Sequence, residues 1–132
     1  MPRRCGDPAP AELLAGIDLF NAGQWFACHE ILEELWAGEQ GDARYLYQGI
    51  LQVAVALHHW REGNFRGAMI LCGSSRGLLA RVAPVCQGVD VAALLLDLER
   101  FRSSLELAGP EGMATLPPER LPVIRTGDPR SP

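Results

Sequence analysis

The chain has 132 residues, of which 48% are hydrophobic and 21% charged, enough apolar content for one self-supporting core and too little charge for a disordered polar chain. Twelve Lys and Arg stand against 16 Asp and Glu, a net charge of −4, which argues against the basic surface of a general nucleic-acid binder. The longest mainly apolar run, Gly49 to Leu57, falls well short of the roughly 20 residues needed to span a bilayer.

Met1-Pro2-Arg3-Arg4 is followed by no apolar run, so no secretory signal is read and the expected location is the cytoplasm. Three prolines fall in the first ten residues, six follow Leu107, and Pro84 alone lies between. The ends are therefore expected to be non-helical and the middle free to be helical. This gives an N-terminal arm over 1–9, a helical domain over 10–108 and a Pro-rich tail over 109–132. Of the four cysteines, Cys5, Cys28, Cys72 and Cys86, none is spaced as CxxC. They are expected to be small hydrophobes of a reducing compartment, Cys28 and Cys72 most clearly so, since both lie in apolar helical patterns.

The first predicted helix starts after Pro10, with Leu13, Leu14, Ile17 and Phe20 as its stripe, and ends at Asn21-Ala22-Gly23. A second runs from about Gln24 to Ala37 and stops before Gly38 and Gly41. Asp42 is placed to cap a third, which runs to about Glu62, and Asn64 to cap a fourth carrying Phe65, Ala68, Met69, Cys72, Leu79 and Val82. Pro84 and Gly88 close that segment. Asp90 is placed to cap a fifth, with Val91, Leu94, Leu95, Leu98, Phe101 and Leu105 on one face. Beyond Gly109 an extended segment, Thr115 to Ile124, is expected to lie across the bundle. No strand alternation is evident. Gly23-Gln24-Trp25 and Gly63-Asn64-Phe65 echo each other as tight turns between antiparallel helices. The fold class is all-α: a compact bundle of about five helices built from antiparallel helical hairpins.

The third helix is apolar nearly all round (Leu46, Tyr47, Ile50, Leu51, Val53 to Leu57), the mark of a central buried helix. It nevertheless carries Gln48, Gln52, His58 and His59. At about 100° per residue, Gln48, Gln52 and His59 share one side and His58 lies elsewhere. On the second helix Trp25, His29, Leu32 and Trp36 form a stripe, with Glu33 one turn beyond His29 and Glu30 turned further away. A short loop makes these two helices antiparallel neighbours. The His29 end should then meet His58 and His59, and the Trp36 end Gln48, so a buried polar cluster is expected between them.

Three chemistries suit such a cluster. His29 and Glu33 can ligate a divalent metal (zinc, iron or manganese) with His58 or His59 as a third ligand and an activated water in an open position; of the two, His59 is taken as the ligand and His58 as a supporting or substrate-facing group. Glu33 can instead orient His29 as a metal-free general base. Or the cluster is a satisfied polar network that fixes how the helices pack. The zincin pattern HExxH fails because Glu33 stands at its second histidine, and the paired ExxH motifs of a ferritin-like di-iron bundle are absent.

The run from Phe20 to Trp36 (FNAGQWFACHEILEELW) resembles the domain of unknown function 309 family, whose hallmark HxxxExxW is matched by His29, Glu33 and Trp36. Tyr47 to Ala54 and His58-His59 followed by Gly63-Asn64-Phe65-Arg66-Gly67-Ala68 continue the likeness, which covers roughly residues 11 to 107. The resemblance implies an all-helical protein without an established activity, some of whose members are labelled metal-dependent hydrolases. On that basis His29 and Glu33 are candidate catalytic residues and, with His59, candidate metal ligands. Glu30, Trp36, Gln48, Gln52 and His58 are candidate substrate-facing or supporting groups. The alternative is a non-enzymatic helical adaptor in which the His/Glu/Gln cluster is structural. No nucleic-acid or membrane partner is expected. A small-molecule or protein partner and a homo-oligomer stay open.

Trp25, Trp36 and Trp60 read as core, with one indole N–H joining the polar cluster. Gly67, Gly73 and Gly77 weaken the fourth helix by about 1 kcal/mol each relative to Ala, and close helix approach is the expected compensation. Arg61 and Arg66 flank the Gly63 turn as surface charges. Ser74 and Ser75 have no evident histidine–acid partner for nucleophilic work.

Overall fold

Ala11–Asn21 (α1), Trp25–Trp36 (α2), Ala43–Arg61 (α3), Phe65–Ala80 (α4) and Val91–Gly112 (α5) are the five helices of the computed structural model, which describes residues 1–127. Each packs on the next, and α3 lies between α2 and α4. Leu46, Tyr47, Ile50, Val53, Ala54, Ala56 and Leu57 of α3 are completely buried. They surround too much of the helix for one neighbour to cover, so α3 is the central rod of an all-α bundle. Among the described residues no helix is long and apolar enough to cross a membrane.

Two turns repeat one backbone solution. Gly23 and Gly63 follow α1 and α3 with φ of 78° and 77°. The N–H groups of Gln24 and Asn64 then reach back to the carbonyls of Leu19 and His59, both at 2.8 Å. This is a Schellman-type ending, whose left-handed residue favours glycine. Asn64 caps α4 through the Gly67 N–H at 2.9 Å, and Asp90 caps α5 through the Ala93 N–H at 3.0 Å. Asp42 does not cap α3 as expected. Its carboxylate accepts instead from the Cys5 N–H at 3.1 Å.

That bond belongs to the arm of residues 1–9, which lies on the loop between α2 and α3. The Glu39 carboxylate accepts from the N–H groups of Arg3 (2.7 Å) and Gly41 (3.0 Å), and the Ala43 N–H donates to the Arg3 carbonyl at 3.2 Å. Desolvation pushes the Glu39 carboxyl up, but the two N–H donors and the Arg3 guanidinium at 3.5 Å together outweigh it and hold its pKa below the usual value.

Val85–Cys86 (β1) and Val89–Asp90 (β2) pair antiparallel, with Val85 opposite Asp90 and Cys86 opposite Val89. Two residues a side carry too little alternation to be read from sequence. Cys86 is joined by a disulfide to Cys5, 81 residues away, which corrects the expectation of reduced thiols for that pair. Cys28 and Cys72 are free and buried, and burial pushes both thiols up to about 12. α5 breaks at Gly109, where φ is 70° and ψ 179°. The chain then returns across the bundle. The Asn21 side chain exchanges hydrogen bonds of 2.8 and 2.9 Å with the Ile124 backbone, and Trp60 Nε1 donates to the Met113 carbonyl at 2.8 Å. Residues 128–132 of the expected tail lie outside the described residues.

The glycines of the α3–α4 contact depart from expectation. A Cβ on Gly67 would crowd Asn64 and His59, but at Gly73 and Gly77 nothing lies within 4 Å. Close approach rests on Gly49 instead, where a Cβ would come within 2.6 Å of the Leu79 side chain. Opposite signs follow for one substitution type. Gly77→Ala should stabilise the protein by about 0.5–1 kcal/mol by favouring the helix, and Gly49→Ala should destabilise it by about 1–3 kcal/mol through overpacking, both read from urea unfolding midpoints. Glu39 contributes stability above its unfolded pKa, near 4.3, and loses that contribution as pH falls through its lower folded value. Wild type should therefore lose its advantage over Glu39→Gln on acidification below about pH 4, as measured by parallel unfolding at stepped pH.

Candidate functional site

α2 turns Trp25, Cys28, Leu32 and Leu35 into the core. The expected stripe was Trp25, His29, Leu32 and Trp36. The helix is rotated from it by roughly half a residue step, about 50° at 100° per residue. The small apolar Cys28 occupies the core position, and the His29 imidazole moves to the flank. His29 and Trp36 are consequently half-buried, and Glu33 and Glu30 are exposed. His29 Nε2 lies 3.0 Å from Glu33 Oε2, with the two side chains 27% and 57% exposed. The pair bridges one helical turn at the edge of the core, not inside it.

From α3, Val55 and His58 face this edge. With Trp25, Phe26 and His29 they line a half-open cleft of about 100 Å³. The Phe26 ring is 58% exposed and sits between the imidazoles, with centroid distances of 5.9 Å to His29 and 5.8 Å to His58. Phe26 and Val55 escaped the sequence reading. The available signal was the spacing of Phe26, one turn before His29 on the same flank.

The other polar residues of α3 face α4, not α2. Gln52 accepts a hydrogen bond from the Ser74 hydroxyl of α4, and Gln48 lies half-buried one turn earlier on the same side. His59 packs beside Gly67 at the start of α4. Asn64 Oδ1 accepts the capping N–H, so its amide nitrogen is left to donate to His59 Nδ1 at 3.2 Å. That bond requires Nδ1 to be unprotonated. His59 is thus committed to the α3–α4 turn, which corrects its placement beside His29 and Glu33. Among the described residues no group of three His, Cys, Asp or Glu side chains is arranged to hold a metal ion. The expected cluster divides in two: His29, Glu33 and His58 toward α2, and Gln52 and His59 toward α4.

Arg61 lies over the Trp25 ring, its guanidinium carbon 4.0 Å from the centroid, and donates to the Gly23 carbonyl at 2.9 Å. It therefore ties the α1–α2 turn to the end of α3. The Trp25 N–H is buried without a partner among the described residues, and it is the Trp60 N–H that is satisfied, by backbone. The Cys28 thiol, held protonated by burial, adds no nucleophile beside His29.

A family model described as Domain of unknown function (DUF309) matches residues 13–71, from α1 to the middle of α4, and so takes in the whole cleft. An uncharacterized protein of Aquifex aeolicus (strain VF5) is 27% identical over 82% of this chain and 33% of its own length. The uncharacterized protein YpuF of Bacillus subtilis (strain 168) is 45% identical over 48% of this chain and 37% of its own. The chain thus spans about a third of the curated relatives it matches. No solved structure matches it.

The two halves of the divided cluster should differ energetically. A double-mutant cycle on Gln52 and Ser74 is expected to give a coupling of about 0.5–1.5 kcal/mol, as for a hydrogen bond between packed helices. The cycle on His29 and Glu33 should give no more than about 0.5 kcal/mol, as for an exposed pair one turn apart. Thermal or urea unfolding of the six variants provides the comparison.

Proposed function

We propose, from the premise that residues 13–71 of this chain belong to the DUF309 family, that the chain is a helical binding domain whose contact site is the cleft of Phe26, His29 and His58. The supporting observation is the cleft's size. At about 100 Å³ it is smaller than the roughly 300–1,000 Å³ of small-molecule sites and suits a single side chain of a partner. An exposed aromatic ring flanked by polar groups is also the usual composition of an interface anchor. Phe26 packs against the incoming side chain, His58 closes the far wall, and Glu33 fixes the His29 ring by taking one of its nitrogens, so that the imidazole meets the partner in one orientation.

A second reading is favoured by the 3.0 Å approach of His29 Nε2 to Glu33 Oε2, since an imidazole and a carboxylate one turn apart are two donors for a divalent ion. These residues do not fit a catalytic centre with three protein ligands. A bound ion would have His29 and Glu33 as its protein donors, with His58 the nearest further imidazole in the cleft. Bound there, an ion would supply the Lewis acidity that the hydrolase label of the family implies.

One set of measurements separates the two. A photoreactive benzoylphenylalanine at position 26 should give a discrete crosslinked adduct in cells, weakened by His58→Ala. The same group at position 70, equally exposed in wild type at 58% but on α4, should not. Stoichiometric metal in chelator-free protein, lost in both His29→Ala and Glu33→Ala, would replace the binding domain by a metal site.

A further inference from the structure

The far end of the N-terminal arm is held at one point. Gln87, at the turn of the β1–β2 hairpin, has φ of 49°, a conformation uncommon for a residue with a side chain, and is 2% exposed. Its backbone N–H donates to the Cys5 carbonyl at 2.7 Å, its Nε2 to the Arg4 carbonyl at 3.2 Å, and its Oε1 accepts from the Tyr47 hydroxyl at 2.8 Å. Tyr47 is completely buried on α3, so Gln87 connects the arm to the central helix. One residue earlier, Cys86 carries the disulfide to Cys5. At the arm's other contact, a Cβ on Gly41 would run into the Arg3 backbone. Arg3 to Cys5 therefore lie directly on the α2–α3 loop. Most of the arm beyond these contacts is exposed. Chain termini of this kind stay ordered only when tied down.

We propose that the Cys5–Cys86 disulfide is a thiol-controlled latch, whose reduction frees the arm of residues 1–9 from the α2–α3 loop and uncovers Tyr47 and Gln87 while the helices stay packed. Cys86 is completely buried and Cys5 half-exposed, so attack is assigned to the Cys5 side of the bond. A dithiol reductant attacks it through one thiolate, releasing Cys86 as the leaving thiolate and forming a mixed disulfide. The reductant's second thiol then displaces Cys5. Two electrons and two protons pass to the protein, which holds two thiols, and the reductant leaves as its own disulfide. Leu46, Ile50, Val53 and Leu57 of α3 are completely buried, and α3 packs on α2 and α4. Cys5, Cys86 and Gln87 all lie outside the family-matched segment of residues 13–71.

The test uses the full chain. Trypsin cleavage after Arg3 or Arg4, followed by intact mass, should be at least about tenfold faster in dithiothreitol-reduced than in oxidised protein, as for a segment passing from closed to open. Far-UV circular dichroism should be unchanged between the two states. Reoxidation should restore protection, and Cys5→Ser, which leaves the buried Cys86 in place, should cleave at the reduced rate in either condition. Equal cleavage rates in the two states would overturn the latch. So would collapse of the helical spectrum on reduction, which would make the bond a staple of the whole fold. Full alkylation of both cysteines under a disulfide oxidant would show that the bond does not form.

Discussion

The structure depends on a helix whose buried side is too wide for one neighbour to cover. α3 buries residues over about half of its circumference at 100° per residue, and its remaining side is half-buried. It needs more than one neighbour: α2 arrives through the loop 37–42 and α4 through the glycine-ended turn at Gly63, while the matching turn at Gly23 sets α1 against α2. α1 and α5 then cover the outer faces of those neighbours. The order of the bundle follows from covering one rod in sequence, each hairpin adding the next layer.

The same constraint distributes the polar residues of α3. An amide or imidazole on a nearly all-apolar helix must find a partner on whichever neighbour it faces. Gln52 and His59 face α4, where Ser74 and Asn64 meet them. His58 faces α2, where among the described residues it has no hydrogen-bond partner and the exposed Phe26 ring is the neighbour. Polar groups with local partners are readily explained as parts of the packing. The side facing α2 keeps two imidazoles, a carboxylate and an open rim.

Much of the bundle was legible in the sequence because its punctuation is local. Pro10, the two Gly turns and the caps Asn64 and Asp90 act within a few residues, and the periodicity of α5 picks out Val91, Leu94, Leu95, Leu98, Phe101 and Leu105, all buried except the half-buried Leu95. The rotation of α2 was not legible. Cys28 and His29 are adjacent, and which of them enters the core depends on packing against α1 and α3, not on period alone. The grouping of Gln48, Gln52 and His59 on one side could be read, but not which neighbour that side meets. Asp42 was misplaced for a similar reason. As a cap it is a local choice, and the arm that claims its carboxylate comes from far along the chain. The bond between Cys5 and Cys86, across 81 residues, was beyond any local signal.

Likeness and foldability have different borders in this protein. The family match stops at Leu71, halfway along α4, yet Leu79 beyond it fills the notch at Gly49. α5 packs on α4 through a buried row that runs from Val91 to Leu105. The segment after α5 closes the circuit: Ile124 meets Asn21 of α1, 103 residues away. A piece cut at the borders of the match would bare the outer side of its last helix and leave the Asn21 amide and the Trp60 N–H without their partners. The segment matched by the family model is thus one part of a larger packed unit.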